Sequence, residues 1–145
     1  MSELINVDIV SAENALFSGH ARFVAVTGSE GELGIHPGHT PLLTTLKPGE
    51  VVLDVPVGDG GIDKKIFYVQ SGFLEVQPHQ VIILADVASG AGDLDEVAAE
   101  QAKARALQLM QDKGSDFDYS KAATELAQAV AQLRAIRSLR EKLKG

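Results

Sequence analysis

At 145 residues, with 45% hydrophobic and 23% charged side chains, the chain has room for one domain or for a small domain with an appendage. A folded chain of this length buries about 68–70% of its unfolded surface, so a core forms without staples. The absence of cysteine excludes disulfides, thiolate metal sites and a Cys nucleophile, and a net charge of −7 excludes general nucleic-acid binding, which needs clustered Lys and Arg.

The N-terminus enters alternating sequence at once, from Leu4 to Val10, with no basic-then-apolar leader. No apolar run reaches the roughly 18 residues of a membrane span. The alternation predicts strands over Ile5–Val10, Arg22–Val26, Glu50–Val55, Lys65–Val69, Phe73–Gln77 and Gln80–Ala85. Shorter ones are expected at Asn14–Phe17, Glu32–Ile35 and Leu42–Leu46, with turns at Ser18-Gly19, Thr27-Gly28, Lys47-Pro48-Gly49, 58–61, Ser71-Gly72 and Pro78-His79. Many short strands without helical periods between them indicate an antiparallel sandwich or barrel.

Between strands, residues Ser29–Leu43 gather glycines, prolines, Glu30, Glu32, His36 and His39. Gly supplies positive φ and Pro fixes φ, so the backbone turns sharply and leaves these side chains on a shaped rim. A metal is a poor fit, because Pro37-Gly38 separates the histidines and no third ligand stands nearby. A phosphate loop is a poor fit too, for no Gly-Lys-Ser/Thr triplet occurs and two glutamates would repel phosphate. Glu30 and Glu32 as the acid–base pair of a small hydrolase is the enzyme-class alternative. With no Trp and few other aromatics, the walls of a substrate pocket are lacking, so no catalytic residue is assigned.

The period then changes. The segment 88–92 reads as a small joint, dividing 1–87, a β domain, from 88–145, a helical one. Asp93 with Glu96 three residues on is a capping-box variant opening a first helix through about Asp112, with Leu94, Val97, Ala98, Ala102, Ala106, Leu109 and Met110 as its apolar stripe. Residues 113–116 break it, and Asp118 or Ser120 caps a second helix with a stripe of Ala123, Leu126, Val130, Leu133, Ile136 and Leu139. The fold class is therefore α+β: an antiparallel β-sandwich followed by an antiparallel two-helix hairpin. Facing positions are mostly Ala, so the hairpin packs weakly and suits an element with docked and extended arrangements. Charge is uneven: residues 1–86 sum to −7, 87–131 to −4 and 132–145 to +4. Arg134, Arg137 and Arg140 share one broad helical face, which serves either the helix dipole or docking on an acidic partner.

The block Val26-Thr27-Gly28-Ser29-Glu30-Gly31-Glu32-Leu33-Gly34-Ile35, continued by His36-Pro37-Gly38-His39-Thr40-Pro41-Leu42-Leu43, resembles the signature of the epsilon subunits of bacterial F-type ATP synthases. Asp8–Glu13, Leu16–Gly19, Gly72–Pro78, Leu84–Asp86 and Asp93–Glu96 are similar to that family in the same order, so the likeness spans nearly the whole chain. The resemblance implies a non-catalytic central-stalk subunit whose sandwich joins the gamma shaft to the c-subunit ring. The hairpin would extend toward the alpha and beta subunits and inhibit ATP hydrolysis. It implies a peripheral place on the cytoplasmic face of the bacterial inner membrane, without insertion. Glu30, Glu32 and His39 fall where the family meets the ring, and Arg134, Arg137 and Arg140 where it docks on the catalytic head. Some relatives bind ATP through an Asp-x-x-Arg-Ala pattern. Asp95 and Arg105 match, but the first Arg is Ala98 here, so weak or absent ATP binding and no resident cofactor are expected.

Overall fold

The computed structural model describes residues 3–112 and 119–144. Seven strands are hydrogen-bonded in the order β2-β1-β7-β6-β5-β3-β4. They span Ile5–Ser11 (β1), Ala15–Ala21 (β2), Phe23–Gly28 (β3), Gly31–Ile35 (β4), Leu42–Val57 (β5), Gly61–Gln77 (β6) and Gln80–Gly90 (β7). Two helices follow, Glu96–Gln111 (α1) and Tyr119–Lys144 (α2).

Two expected turns prove to be bends within continuous strands. Lys47-Pro48-Gly49 lies inside β5 and Ser71-Gly72 inside β6. The ladder register shifts between Val69 and Gly72 and again between Val26 and Gly28 of β3, while Gly28, Leu46 and Gly72 stand in one cross-strand row. The sheet thus folds over along a line that crosses its strands, as bulges allow. Pro48 falls between the paired residues Leu46 and Gly49, where its missing N–H removes no ladder bond. Gly72 has φ +141°, and a Cβ there would strike the carbonyl oxygen of Leu84. At Gly49 a Cβ would come 2.5 Å from Cβ of Thr27. Gly72 needs glycine because the backbone of β7 passes close by, and Gly49 because the Thr27 side chain fills the space where a Cβ would stand. Ser18-Gly19, also expected to turn, lies within β2.

The two halves of the folded sheet enclose one core, Ile5, Val7, Ile9, Leu74, Val76, Val81 and Ile83 from one layer meeting Val24, Ile35, Val51, Leu53, Phe67 and Val69 from the other. Pairing is antiparallel except for β1 beside β7, which run parallel. That exception was not expected, and chain order explains it: β1 and β7 are joined through the whole sandwich, so no local crossover is needed.

The segment 88–92, read as a joint, is the end of β7 and the start of a 3-10 turn, Ala91–Asp93. β7 stays paired with β6 as far as Gly90, opposite Phe67. Helix α1 is capped by Asp95, not Asp93: the Asp95 carboxylate accepts from Ala98 N at 3.1 Å. Asp93 is held in the preceding turn, where Leu94 N donates to Ala91 O. With the cap at Asp95, the box position three residues on is Ala98, so no box closes, and Glu96 instead takes Arg140 on both its oxygens, at 2.8 and 2.9 Å. The break at 113–116 and the cap at Asp118 lie outside the described residues; Ser120 is within α2, where its carbonyl accepts from the Thr124 hydroxyl.

Helix α2, about 39 Å long at 1.5 Å per residue, lies on the outer face of the layer formed by β5 and β6. Ala131, Ala135 and Leu139 pack there on Val52, Ile66 and Tyr68. Ala122 and Ala129, also buried, point roughly 120–200° away round the helix, toward α1. On α1 the buried positions are Ala99 and Ala106, and Val97 is 65% exposed. Of the expected stripes, Ala106 and Leu139 face inward as read, but Val97, Leu109 and Val130 are outside, and Ala99, Ala122, Ala129, Ala131 and Ala135 are the buried positions that were not expected. Alanine lets the backbones approach closely, and the larger side chains flank the seam.

Candidate functional site

Three groups of exposed side chains present themselves. The first is the β3–β4 turn, tied by Ser29 N to Thr45 O at 3.0 Å and by hydroxyl contacts of Ser29 with Thr44 and Thr45. Gly31, at φ +131°, turns the chain and leaves Glu30 and Glu32 in solvent. The second is the crossover from β4 to β5. There His36 rests its ring on Phe23 at 4.7 Å, His39 N donates to His36 O, and His39 Nδ1 lies 2.7 Å from Thr40 O. Gly38 N binds Pro78 O at 2.7 Å, fixing this loop to the β6–β7 turn. Strand β4 separates the two groups, so Glu30 and Glu32 stand at one end of it and His39 beyond the other. They do not share one rim.

The third group is the basic face of α2. In the docked hairpin each arginine meets a carboxylate or a cavity. Arg140 pairs with Glu96 of α1, and Arg134 Nη1 comes to 3.9 Å from Glu32 Oε1. Arg134 and Arg137 also line a notch of about 110 Å³ with Glu100 and Lys103. Lys142 reaches Asp63 of β6 at 2.9 Å, and Lys65 holds the other oxygen of that carboxylate at 3.2 Å. The two lysines hold the Asp63 carboxyl below its ordinary range. Burial beneath α2 pushes the Tyr68 phenol up, partly offset by the Gln132 side chain. Neither Asp63 nor Tyr68 was marked by the sequence reading. The signal that could have found Lys142 is its spacing, since it continues the row Ala131, Ala135, Leu139.

Asp95 and Arg105 are not brought together. Asp95 is committed to its cap, and Arg105 lies ten residues along α1, a rise of about 15 Å. Ala98, whose N–H the cap holds, brings no charge between them. Glu32 and Glu50 border an open cleft of about 220 Å³ on the outer face of β3, β4 and β5, with Phe23, Thr27 and Gly34. Among the described residues no three His, Cys, Asp or Glu side chains converge as metal ligands, and no helix is long and apolar enough to cross a membrane.

A last surface completes the set. Phe73 and Leu84, 54% and 53% exposed, are cross-strand neighbours, flanked in the same row by Thr45 and Val10. Leu43, 71% exposed, stands in the next row. These side chains point outward from the layer that the hairpin does not cover. The sandwich thus carries a helical arm on one outer face and an exposed apolar row on the other.

Comparison with known proteins places the chain in a family. The profile of the ATP synthase Delta/Epsilon chain beta-sandwich domain matches residues 4–91, and that of the Delta/Epsilon long alpha-helix domain matches 93–137. The ATP synthase epsilon chain of Legionella pneumophila (strain Corby) is 56% identical over 144 residues, 99% of this chain and 100% of that one. The ATP synthase epsilon chain of Chromohalobacter salexigens is 57% identical over 135 residues, 93% of each. The chain belongs to the ATP synthase Delta/Epsilon family as an epsilon chain, an accessory subunit that is not catalytic on its own. Solved structures share the fold. A chain of the Euglena gracilis mitochondrial ATP synthase (OSCP/F1/c-ring, rotational state 1) gives TM-score 0.67 at 20% identity, over 97% of this chain and 81% of that one. One of the Tetrahymena thermophila mitochondrial ATP synthase central stalk and c-ring gives 0.61 at 15%, over 93% and 98%.

Proposed function

We infer that this subunit joins the gamma shaft to the c-subunit ring, coupling proton transport to ATP synthesis, and that its hairpin restrains ATP hydrolysis at the alpha–beta head. The observation that carries the reading is the uncovered apolar row of Phe73, Leu84 and Leu43 on the layer facing away from the hairpin. Such a row inside a polar rim is the anatomy of a protein interface, and gamma is its occupant on this reading. Glu30 and Glu32, on a turn braced by Thr44 and Thr45, meet polar loops of the ring on this reading, Glu32 exchanging its 3.9 Å contact with Arg134 for them. His39 serves the opposite end of β4 and belongs with that contact less directly.

Arg134, Arg137 and Arg140 dock on acidic segments of the head once the hairpin extends. In the docked state they face Glu32, Glu100 and Glu96, so the same cations have an internal and an external set of partners. The hairpin leaves easily because its apolar contact with the sandwich is small, Ala131, Ala135 and Leu139 on Val52, Ile66, Tyr68, Ala91 and Leu94, supplemented by exposed ion pairs. The subunit works without a resident cofactor, and ATP binding is weak because Ala98 stands where a phosphate-holding Arg is needed. It is peripheral at the cytoplasmic face of the bacterial inner membrane, held by protein rather than lipid.

The test is ATP hydrolysis by an alpha–beta–gamma complex lacking epsilon, titrated with the full chain and with residues 1–92. That fragment retains the whole sandwich core, none of which comes from the helices. The full chain should lower the rate, and the fragment should bind without lowering it. Equal inhibition by both would remove the hairpin's role.

A further inference from the structure

The sheet-facing row of α2 reads Ala131, Ala135, Leu139, Lys142, at spacings of four, four and three. Its first three members make only shallow apolar contact. Methyl groups on a flat sheet surface resist sliding poorly, since burial is non-directional. The fourth member is different, because Lys142 Nζ meets Asp63 Oδ1 at 2.9 Å. Asp63 stands on β6 next to the β5–β6 turn, with its second oxygen already held by Lys65. The carboxylate is thereby oriented before α2 arrives. A slip of one helical turn, about 5.4 Å, that carries Ala131 into the site of Ala135 keeps alanine against the sheet, yet it breaks the Lys142 contact and the weaker one of Arg134 with Glu32. Lys142 also lies in the last turn of α2, where the helix dipole favours a cation.

We propose that Asp63, pre-oriented by Lys65, is the register stop for the docked hairpin: its pairing with Lys142 sets where α2 seats on the sandwich and how often it leaves. Asp63 is thus a positioning residue that acts through Lys142. The clasp itself is a property of the isolated chain; its bearing on inhibition rests on the regulatory reading above.

The chain has no cysteine, so a thiol introduced by Ala135→Cys, at a position with no exposed surface, reports each undocking by its labelling rate in the full-length protein. Asp63→Asn and Lys142→Gln should each raise that rate about two- to fivefold, the range of an exposed ion pair. Lys142→Glu should raise it further, and the full exchange of charges, Asp63→Lys with Lys65→Glu and Lys142→Glu, should bring it back toward the parent rate. Labelling unchanged by both single neutralisations, or not recovered by the charge exchange, would overturn the clasp. The measurement needs no other subunit, so its failure is separate from failure of the hydrolysis titration: intact clasp behaviour with no inhibition would instead count against the regulatory reading. With both right, Asp63→Asn should lower the concentration of full chain needed for half-inhibition.

Discussion

Single residues decide where this sheet folds. Gly72 is the clearest, since its φ of +141° and its approach to the Leu84 carbonyl leave no room for a side chain. Gly72→Ala should therefore destabilise the sandwich by roughly 2 kcal/mol or more, through left-handed strain plus displacement of β7. A urea midpoint shifted downward at unchanged slope would show it; an unchanged midpoint would mean that the fold line yields. Gly58, also at positive φ, has open space around it, so alanine there meets only the dihedral penalty. The glycines were legible as punctuation in the sequence. Their role was not, because a turn and a bend within a strand use the same residues. What separates them is partners across the strand, and Gly72 has them on both sides, Leu46 and Ala85.

Among the elements, strands and helices were legible through their periods, while the caps and part of the stripes were not. Asp93 and Asp95 are both good caps, and the choice fell to Asp95 because the preceding 3-10 turn holds Asp93. The stripes were right at Ala106 and Leu139 and misplaced elsewhere for a different reason. Hydrophobicity ranks Val97 above Ala99, but a seam between closely approaching helices selects small side chains, and Val97 remains outside. Docking of α2 also leaves a titration signature at Tyr68. Burial disfavours its phenolate, so the folded group holds its proton above the ordinary value of 10.0. The sign follows: this stabilisation of docking is complete below about pH 10 and is lost as pH rises through the folded value. Asp63 behaves in the opposite sense. Its carboxyl is held down, so its contribution is present above the ordinary 3.8 and fades only as pH falls through the lower docked value. Across the physiological range both are constant. In a Tyr119→Phe chain, where Tyr68 is the sole phenol, absorbance titration should give ionisation later than in the same chain truncated before α1. Coincident curves would mean that α2 does not shield the ring.

At the scale of the whole molecule the sandwich has two outer faces of different character. One carries the arm on Val52, Ile66 and Tyr68, and the other carries Phe73, Leu84 and Leu43 bare. The sequence pattern concealed this, because outward apolar residues on a strand read as part of the core until the bend shows which way each half faces. Phe73 and Leu84 contribute little to stability, being more than half exposed. Phe73→Glu and Leu84→Glu should then leave the unfolding midpoint nearly unchanged, within about 0.5 kcal/mol. Binding to the gamma shaft should nevertheless weaken by ten- to a hundredfold, since a central aromatic anchor is worth about 2 kcal/mol or more and a buried charge adds to the loss. Titration calorimetry against a gamma-containing complex separates the two quantities. Weakened binding with intact stability assigns this face to the shaft. Unaltered binding would move the shaft elsewhere on the molecule and leave the apolar row without its occupant, while a fall in stability would mean that the row belongs to the core after all.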